Sequence, residues 1–226
     1  MTRISIACLD MAGTTISDEG SVDAAFTAAM RRFGLVPGAP GYEQASRIVH
    51  ETMGQSKIEV FRRILDGEAD AQEANSLFEL SYAESVRSGA ITPIPGAAET
   101  LAVLRAGGVK ICLATGFSPA TRAALLDSLG WRPLIDLALS PADAGRGRPW
   151  PDLPLTALLR LGGQSVASLA VVGDTASDVE SGLRAGAGVV AGVLTGASSR
   201  EELEKAGAPH IIDSITDLPA LIGLAR

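Results

Sequence analysis

Along most of the chain, short apolar runs alternate with amphipathic stretches. Runs at residues 4–9, 109–114, 135–139, 168–172 and 189–194 are rich in Val, Ile, Leu and Ala and have the length of strands. Between most of them, residues 97–106, 119–129, 153–161 and 176–185 carry apolar side chains at helical spacing. This alternation predicts βαβ units and a parallel sheet covered on both faces. Glycines mark the helix stops, at Gly107-Gly108, Gly130, Gly162-Gly163 and Gly186. Ser199, with Glu202 three residues on, makes a capping box that opens a further helix. That pair reads as structural and not catalytic.

Residues 18–91 break the alternation. They carry almost no strand signal and predict four helices, near 22–33, 43–51, 57–65 and 71–88. A helical block inserted after the first strand of a parallel sheet reads as a separate cap. The stretch ITPIPG, residues 91–96, returns the chain to the sheet, and its two prolines stiffen that hinge. The expected fold class is α/β, a Rossmann-like parallel sheet core with an inserted all-helical cap domain. The core takes residues 1–17 and 92–226, and the cap takes 18–91.

Composition narrows the function. The 226 residues are 46% apolar and 20% charged, a globular balance with room for one domain with a substantial insertion or for two small domains. The net charge of −7 argues against nucleic acid and against an anionic membrane surface as partners. No apolar run reaches the length of a membrane span. The first run meets Asp10 too early for a signal peptide. Cys8 and Cys112 both lie inside strand-like runs and read as small buried hydrophobes, so a reducing cytoplasm is the expected location.

The polar residues that end these runs carry the chemistry. The first run ends at Asp10, VKICLATG ends at Thr115-Gly116, and SLAVVGDTASD ends at Asp174 with Asp178 one helical turn later. Carboxyl ends of parallel strands share one edge, and ligands bind in the crevice there. Each of these residues alone reads as a helix cap; together and in this order they read as a site. Converging carboxylates repel one another unless a cation sits among them, and a hard ion with oxygen ligands, Mg²⁺, suits them. Arg148, in AGRGRPWP, adds a permanent cation whose fork matches phosphate oxygens. A nucleophilic carboxylate, a hydroxyl, an arginine and Mg²⁺ make a set equipped for phosphoryl transfer. His50 and His210 receive no catalytic role, and the glycine-rich AGAGVVAG follows a helix without full dinucleotide spacing, which excludes a dinucleotide fingerprint.

The order strand-Asp, strand-Thr, basic residue and strand-Gly-Asp-x-x-x-Asp resembles the haloacid dehalogenase superfamily of hydrolases, here as Asp10, Thr115, Arg148 and GDTASD. Two departures from its common pattern stand out. Most phosphatases of the superfamily carry a second Asp two residues after the nucleophile, where this chain has Ala12, and their usual basic residue is Lys, where it has Arg148. Both features, with DMAGTT, GRPWP and GDTASDVESGLRAG, are similar to the phosphonatase branch, the phosphonoacetaldehyde hydrolases. That resemblance implies a cap lysine forming a Schiff base with the substrate, and TMGQSKIEVF places Lys57 there, with Met53 and Gly54 just before it. It implies Asp10, Thr115, Arg148 and Lys57 as catalytic residues and Ala12, Met53 and Gly116 as substrate-binding ones. The metal ligands it implies are Asp10, Asp174 and the main-chain carbonyl of Ala12, with Asp178 behind them.

Ala12 and Lys57 form one chemical argument. An ester leaves as an alkoxide that a nearby acid protonates. A phosphonate leaves through carbon, and a protonated imine takes up the electrons as an enamine. The lysine then makes the acid unnecessary. Three positions differ from that branch: Val60 where a His is usual, Phe117 where a Tyr is usual, and Gly20 near the place of a Cys. The exact carbon skeleton of the substrate therefore stays open. So do a Mg²⁺-dependent phosphomonoesterase of the phosphoglycolate phosphatase kind and a non-catalytic protein that binds a phosphorylated metabolite. Pairing of two copies through the cap helix at 22–33 is a further expectation.

Overall fold

The computed structural model describes residues 3–224, so the outermost ends of the segments 1–17 and 92–226 lie outside the described residues. The chain begins with β1 (Ile6–Asp10) and a two-residue strand, β2 (Ile16–Ser17). Four helices follow, α1 (Ser21–Arg31), α2 (Tyr42–Glu51), α3 (Lys57–Ile64) and α4 (Glu68–Ser88). Then come β3 (Thr92–Pro93), α5 (Ala97–Ala106), β4 (Lys110–Ala114), α6 (Pro119–Leu129), β5 (Leu137–Leu139), α7 (Pro141–Ala144) and α8 (Asp152–Arg160). The last part is β6 (Leu169–Gly173), α9 (Ala176–Ala185), β7 (Val189–Val193), α10 (Arg200–Lys205), β8 (His210–Ile212) and α11 (Leu218–Leu221).

Six strands form one parallel sheet in the order β5-β4-β1-β6-β7-β8. The expected α/β class with a Rossmann-like parallel sheet is thus what the chain adopts. β1 is central and buried along its whole length, as a strand covered on both faces must be. Alternation assigns its side chains. Ala7 and Leu9 face the larger core, and Ile6 and Cys8 face the smaller one packed under α8. Asp10 therefore projects on the Cys8 side. The register pairs Asp10 with Ala114 and Leu9 with Val172, so the ends of β1, β4 and β6 are level. Cys8 pairs with Cys112 across β1 and β4; both are buried free thiols.

Several element bounds shift by one to three residues from the predicted spans, those of β5 and β1 among them. The run at 135–139 is a strand only from Leu137, because Asp136 uses its carboxylate to accept the Ile111 amide at 2.8 Å. The run at 4–9 carries its pairing one residue further, to Asp10. β2 and β3 lay outside the predicted pattern altogether. They pair antiparallel, Ile16 with Pro93 and Ser17 with Thr92, and the four helices α1–α4 leave and return through this ribbon.

Those helices bury an aromatic cluster. Phe26 of α1 lies 4.7 Å from Phe78 of α4 and 5.2 Å from Phe61 of α3, ring centre to ring centre. The stack continues through Tyr82 to Phe117, 4.4 Å away in the loop after β4. Phe61, Phe78 and Tyr82 are fully buried. Truncating such a ring to alanine costs about 3–5 kcal/mol. One aromatic column thus fastens the helical insert to the edge of the sheet where the strand-end residues gather.

Candidate active site

The segment after β1 turns tightly. The Met11 carbonyl accepts from the amides of Thr14, Thr15 and Ile16 at 2.9–3.2 Å. Gly13 sits at φ 84°, and a side chain there would collide with the Asp174 carboxylate, so only glycine serves. The Thr15 hydroxyl donates to the Asp10 carbonyl at 2.9 Å and fixes the strand end. The turn also serves Asp174. Thr14 donates its hydroxyl to Oδ1 at 3.1 Å, and the Ala197 amide donates to Oδ2 at 2.8 Å.

Asp10, Asp174 and Asp178 are all buried, and one carboxylate oxygen of each lies within 4.8 Å of the others. Arg148 answers part of this charge. Its Nη2 meets Asp10 Oδ1 at 2.6 Å and donates to the Ala114 carbonyl at 2.9 Å, while its Nη1 pairs with Asp178. The other Asp178 oxygen accepts from Thr175, amide at 3.1 Å and hydroxyl at 2.5 Å, which closes the capping box of α9. These contacts fix Arg148 and Asp178, and Arg148 braces Asp10 from behind.

The remaining imbalance falls on Asp10 and Asp174. Burial raises the Asp10 carboxyl to about 6; Arg148 opposes the shift and Asp178 adds to it. Burial, then Asp10 and Asp178, push the Asp174 carboxyl well above its ordinary range. Two buried carboxylates with one guanidinium between three acids leave a deficit of positive charge. A hard divalent cation with oxygen ligands fits that deficit and that donor set.

A cavity of about 300 Å³ opens above these acids. Asp10, Ala12, Met53, Lys57, Thr115, Gly116 and Asp174 line it together. Arg148 and Asp178 do not; Arg148 borders a neighbouring cavity on the far side of Lys57 and Gly116. The Thr115 hydroxyl accepts the Phe117 amide at 3.2 Å, which leaves its own proton available to the cavity. At Gly116 a side chain would strike the Gln55 carbonyl, so the loop before α3 lies directly on the loop after β4.

Lys57 opens α3 and is only 6% exposed. Its Nζ lies 5.3 Å from the Phe117 ring centre, 5.5 Å from Phe26 and 5.8 Å from Phe78. It makes no hydrogen bond or ion pair among the described residues. Burial lowers its pKa from 10.5 to about 8, with Asp10 pulling the other way and Arg148 reinforcing the fall. About a tenth of the amine is then neutral at pH 7, roughly three hundredfold more than at the ordinary lysine pKa, and a nucleophilic lysine draws on that fraction.

Several contributors lay outside the sequence reading. Thr14 and Ala197 hold Asp174, and Glu79 of α4 accepts from the Ser118 amide at 3.3 Å, the Ser118 hydroxyl at 2.5 Å and the Thr121 hydroxyl. Glu79 thereby ties the insert to the start of α6. Of these, only Thr14 had a sequence signal, its place four residues after Asp10. His50, given no catalytic role, reaches Glu202 of α10 at 3.2 Å as an exposed link between insert and sheet.

A family model for haloacid dehalogenase-like hydrolases matches residues 4–186. A phosphonoacetaldehyde hydrolase from Bacteroides fragilis is 31% identical to this chain, over 99% of this chain and 97% of the relative. One from Parabacteroides distasonis is 29% identical, over 98% and 97%. Among solved structures, a phosphonoacetaldehyde hydrolase-like protein from Oleispira antarctica superposes with a TM-score of 0.83 at 27% identity, covering 98% of this chain and 92% of that one. With the parallel sheet, the strand-end acids and a family match over most of its length, the chain belongs to the haloacid dehalogenase-like hydrolases.

Proposed function

We propose that this hydrolase cleaves the carbon–phosphorus bond of a 2-oxoalkyl phosphonate, phosphonoacetaldehyde or a relative of it. One observation carries the reading. A buried lysine without an acidic partner shares a cavity with Asp10, and the position two residues after Asp10 is an alanine. The relatives bearing the name phosphonoacetaldehyde hydrolase support it.

The neutral Lys57 amine adds to the substrate carbonyl and, with loss of water, forms a protonated Schiff base. Asp10 attacks phosphorus in the direction fixed by Arg148 and by Thr15 beneath it. The electron pair of the breaking carbon–phosphorus bond moves into the imine and gives an enamine. The enamine takes a proton at carbon, and water releases the aldehyde or ketone and restores Lys57. A second water hydrolyses the aspartyl phosphate. Thr115 offers its hydroxyl proton to a phosphonate oxygen. Mg²⁺, held by Asp10, Asp174 and the Ala12 carbonyl with Asp178 behind, would supply positive charge for the phosphonate oxygens. The Phe26, Phe78 and Phe117 rings beside the amine lower the polarity of its surroundings.

Borohydride trapping with phosphonoacetaldehyde, followed by peptide mass mapping, tests this. The expected result is an adduct on Lys57, and phosphate release lost in Lys57→Met. Faster release from p-nitrophenyl phosphate than from any oxo-phosphonate, with no trapped adduct, would replace the reading with a phosphomonoesterase.

A further inference from the structure

A second cavity, of about 580 Å³, lies between α3 and α4 of the insert and the loop that carries Arg148. It shares Lys57, Gly116 and Phe117 with the first cavity, but Asp10 and Asp174 do not line it. No step of the proposed reaction takes place in it.

The start of α3 opens onto this cavity without a cap. Ser56, just before the helix, is only 9% exposed, yet its hydroxyl makes no hydrogen bond among the described residues. The Lys57 and Ile58 amides, the first two of the helix, have no acceptor there either. Gly147 faces Ser56, and a side chain in its place would crowd both Ser56 and Pro141 at 3.3 Å. A buried hydroxyl and two helix-start amides, all in want of an acceptor, suit an anion.

The charges around the cavity agree with this. Its acids, Glu59 and Glu79, already have donors: Arg62 for the first, Ser118 and Thr121 for the second. Of its bases, Arg146 is paired with Asp152, and Arg148 with Asp10 and Asp178. Lys57 has no acidic partner among the described residues, and neither has Arg63, two turns beyond Ser56 on the same face of α3. The side-chain amide of Asn75 in α4 is equally unengaged. Acids that are spent and donors that are not leave a net attraction for negative charge. We propose that this cavity is a second oxyanion site, which takes a phosphate or phosphonate group at the start of α3, apart from the catalytic acids and whichever bond the enzyme cleaves.

Amide NMR of the Mg²⁺-loaded full chain, titrated with inorganic phosphate and separately with methylphosphonate, tests this. The expected result is saturable movement of the Ser56, Lys57, Ile58 and Gly147 signals. Their midpoint should differ from that of Gly13 and Thr115 beside the catalytic acids. Ser56→Ala should raise the midpoint of the first group about tenfold, as loss of a hydrogen bond to a charged group does. Arg63 is exposed and unpaired, so Arg63→Gln tests the site without loss of fold and should raise the midpoint about threefold. Neither change should shift the midpoint of Gly13 and Thr115. Tighter binding of phosphate marks the released product as the occupant, and tighter binding of methylphosphonate marks the incoming substrate. Signals at the start of α3 that stay still, or that move in step with Gly13 and Thr115 and ignore both substitutions, overturn the proposal.

Discussion

Replacing Lys57 by methionine should make the protein more stable while removing its activity. Burial takes the Lys57 pKa from 10.5 to about 8. The folded protein therefore gives up this proton more readily than the unfolded chain. Between pH 8 and 10.5 the unfolded chain binds more protons, and stability rises with pH across that window. Below pH 8 the full penalty for burying the ammonium is present, about 3 kcal/mol at 1.36 kcal/mol per pKa unit. Methionine keeps the length of the stem, carries no charge and packs well against the edges of Phe26, Phe78 and Phe117. Urea unfolding of both proteins in metal-free buffer should show Lys57→Met more stable by about 3 kcal/mol at pH 7 and by about 1.4 kcal/mol at pH 9.5. In thermal scans the pH 7 difference amounts to about 6–12 °C. A variant less stable than the parent at pH 7, or a gap that does not narrow with pH, would refute the account of Lys57 as a charge held at a cost.

Further outcomes follow from the same geometry. Arg148→Gln strands Asp10 and Asp178 and should cost about 3–5 kcal/mol, read as a fall in the urea midpoint. Mg²⁺ at a hundredfold excess over its dissociation constant should stabilise the parent by about 2.7 kcal/mol, and Asp174→Asn should abolish that gain. The Mg²⁺ effect should fade as pH drops through about 6, where Asp10 takes up its proton. Glu79→Leu removes the acceptor for Ser118 and Thr121, so it should cost about 1–3 kcal/mol and speed amide exchange at the start of α6.

The sheet was legible because its strands are buried on both faces and read as continuous apolar runs. Level strand ends then follow from parallel pairing, so the sequence alone places Asp10, Thr115 and Asp174 at one edge. β2 and β3 escaped because two residues carry no periodicity. The surroundings of Lys57 escaped for a different reason. Phe26, Phe78 and Phe117 are far apart in the chain, and each reads locally as ordinary core. Reading the Arg148 fork as a match for phosphate oxygens gave no sign of its contacts with Asp10, Asp178 and the Ala114 carbonyl. Long-range pairing of that kind leaves no trace in local spacing.

Asp178 answers to two neighbours at once, Arg148 with one oxygen and the start of α9 with the other. Loss of its side chain unfastens a helix and deprives a guanidinium of one of its two carboxylates in a single step. Change at this position is therefore channelled: asparagine, which keeps the fastening and drops the charge, separates the two duties. Any other replacement mixes injury to the scaffold with injury to the chemistry.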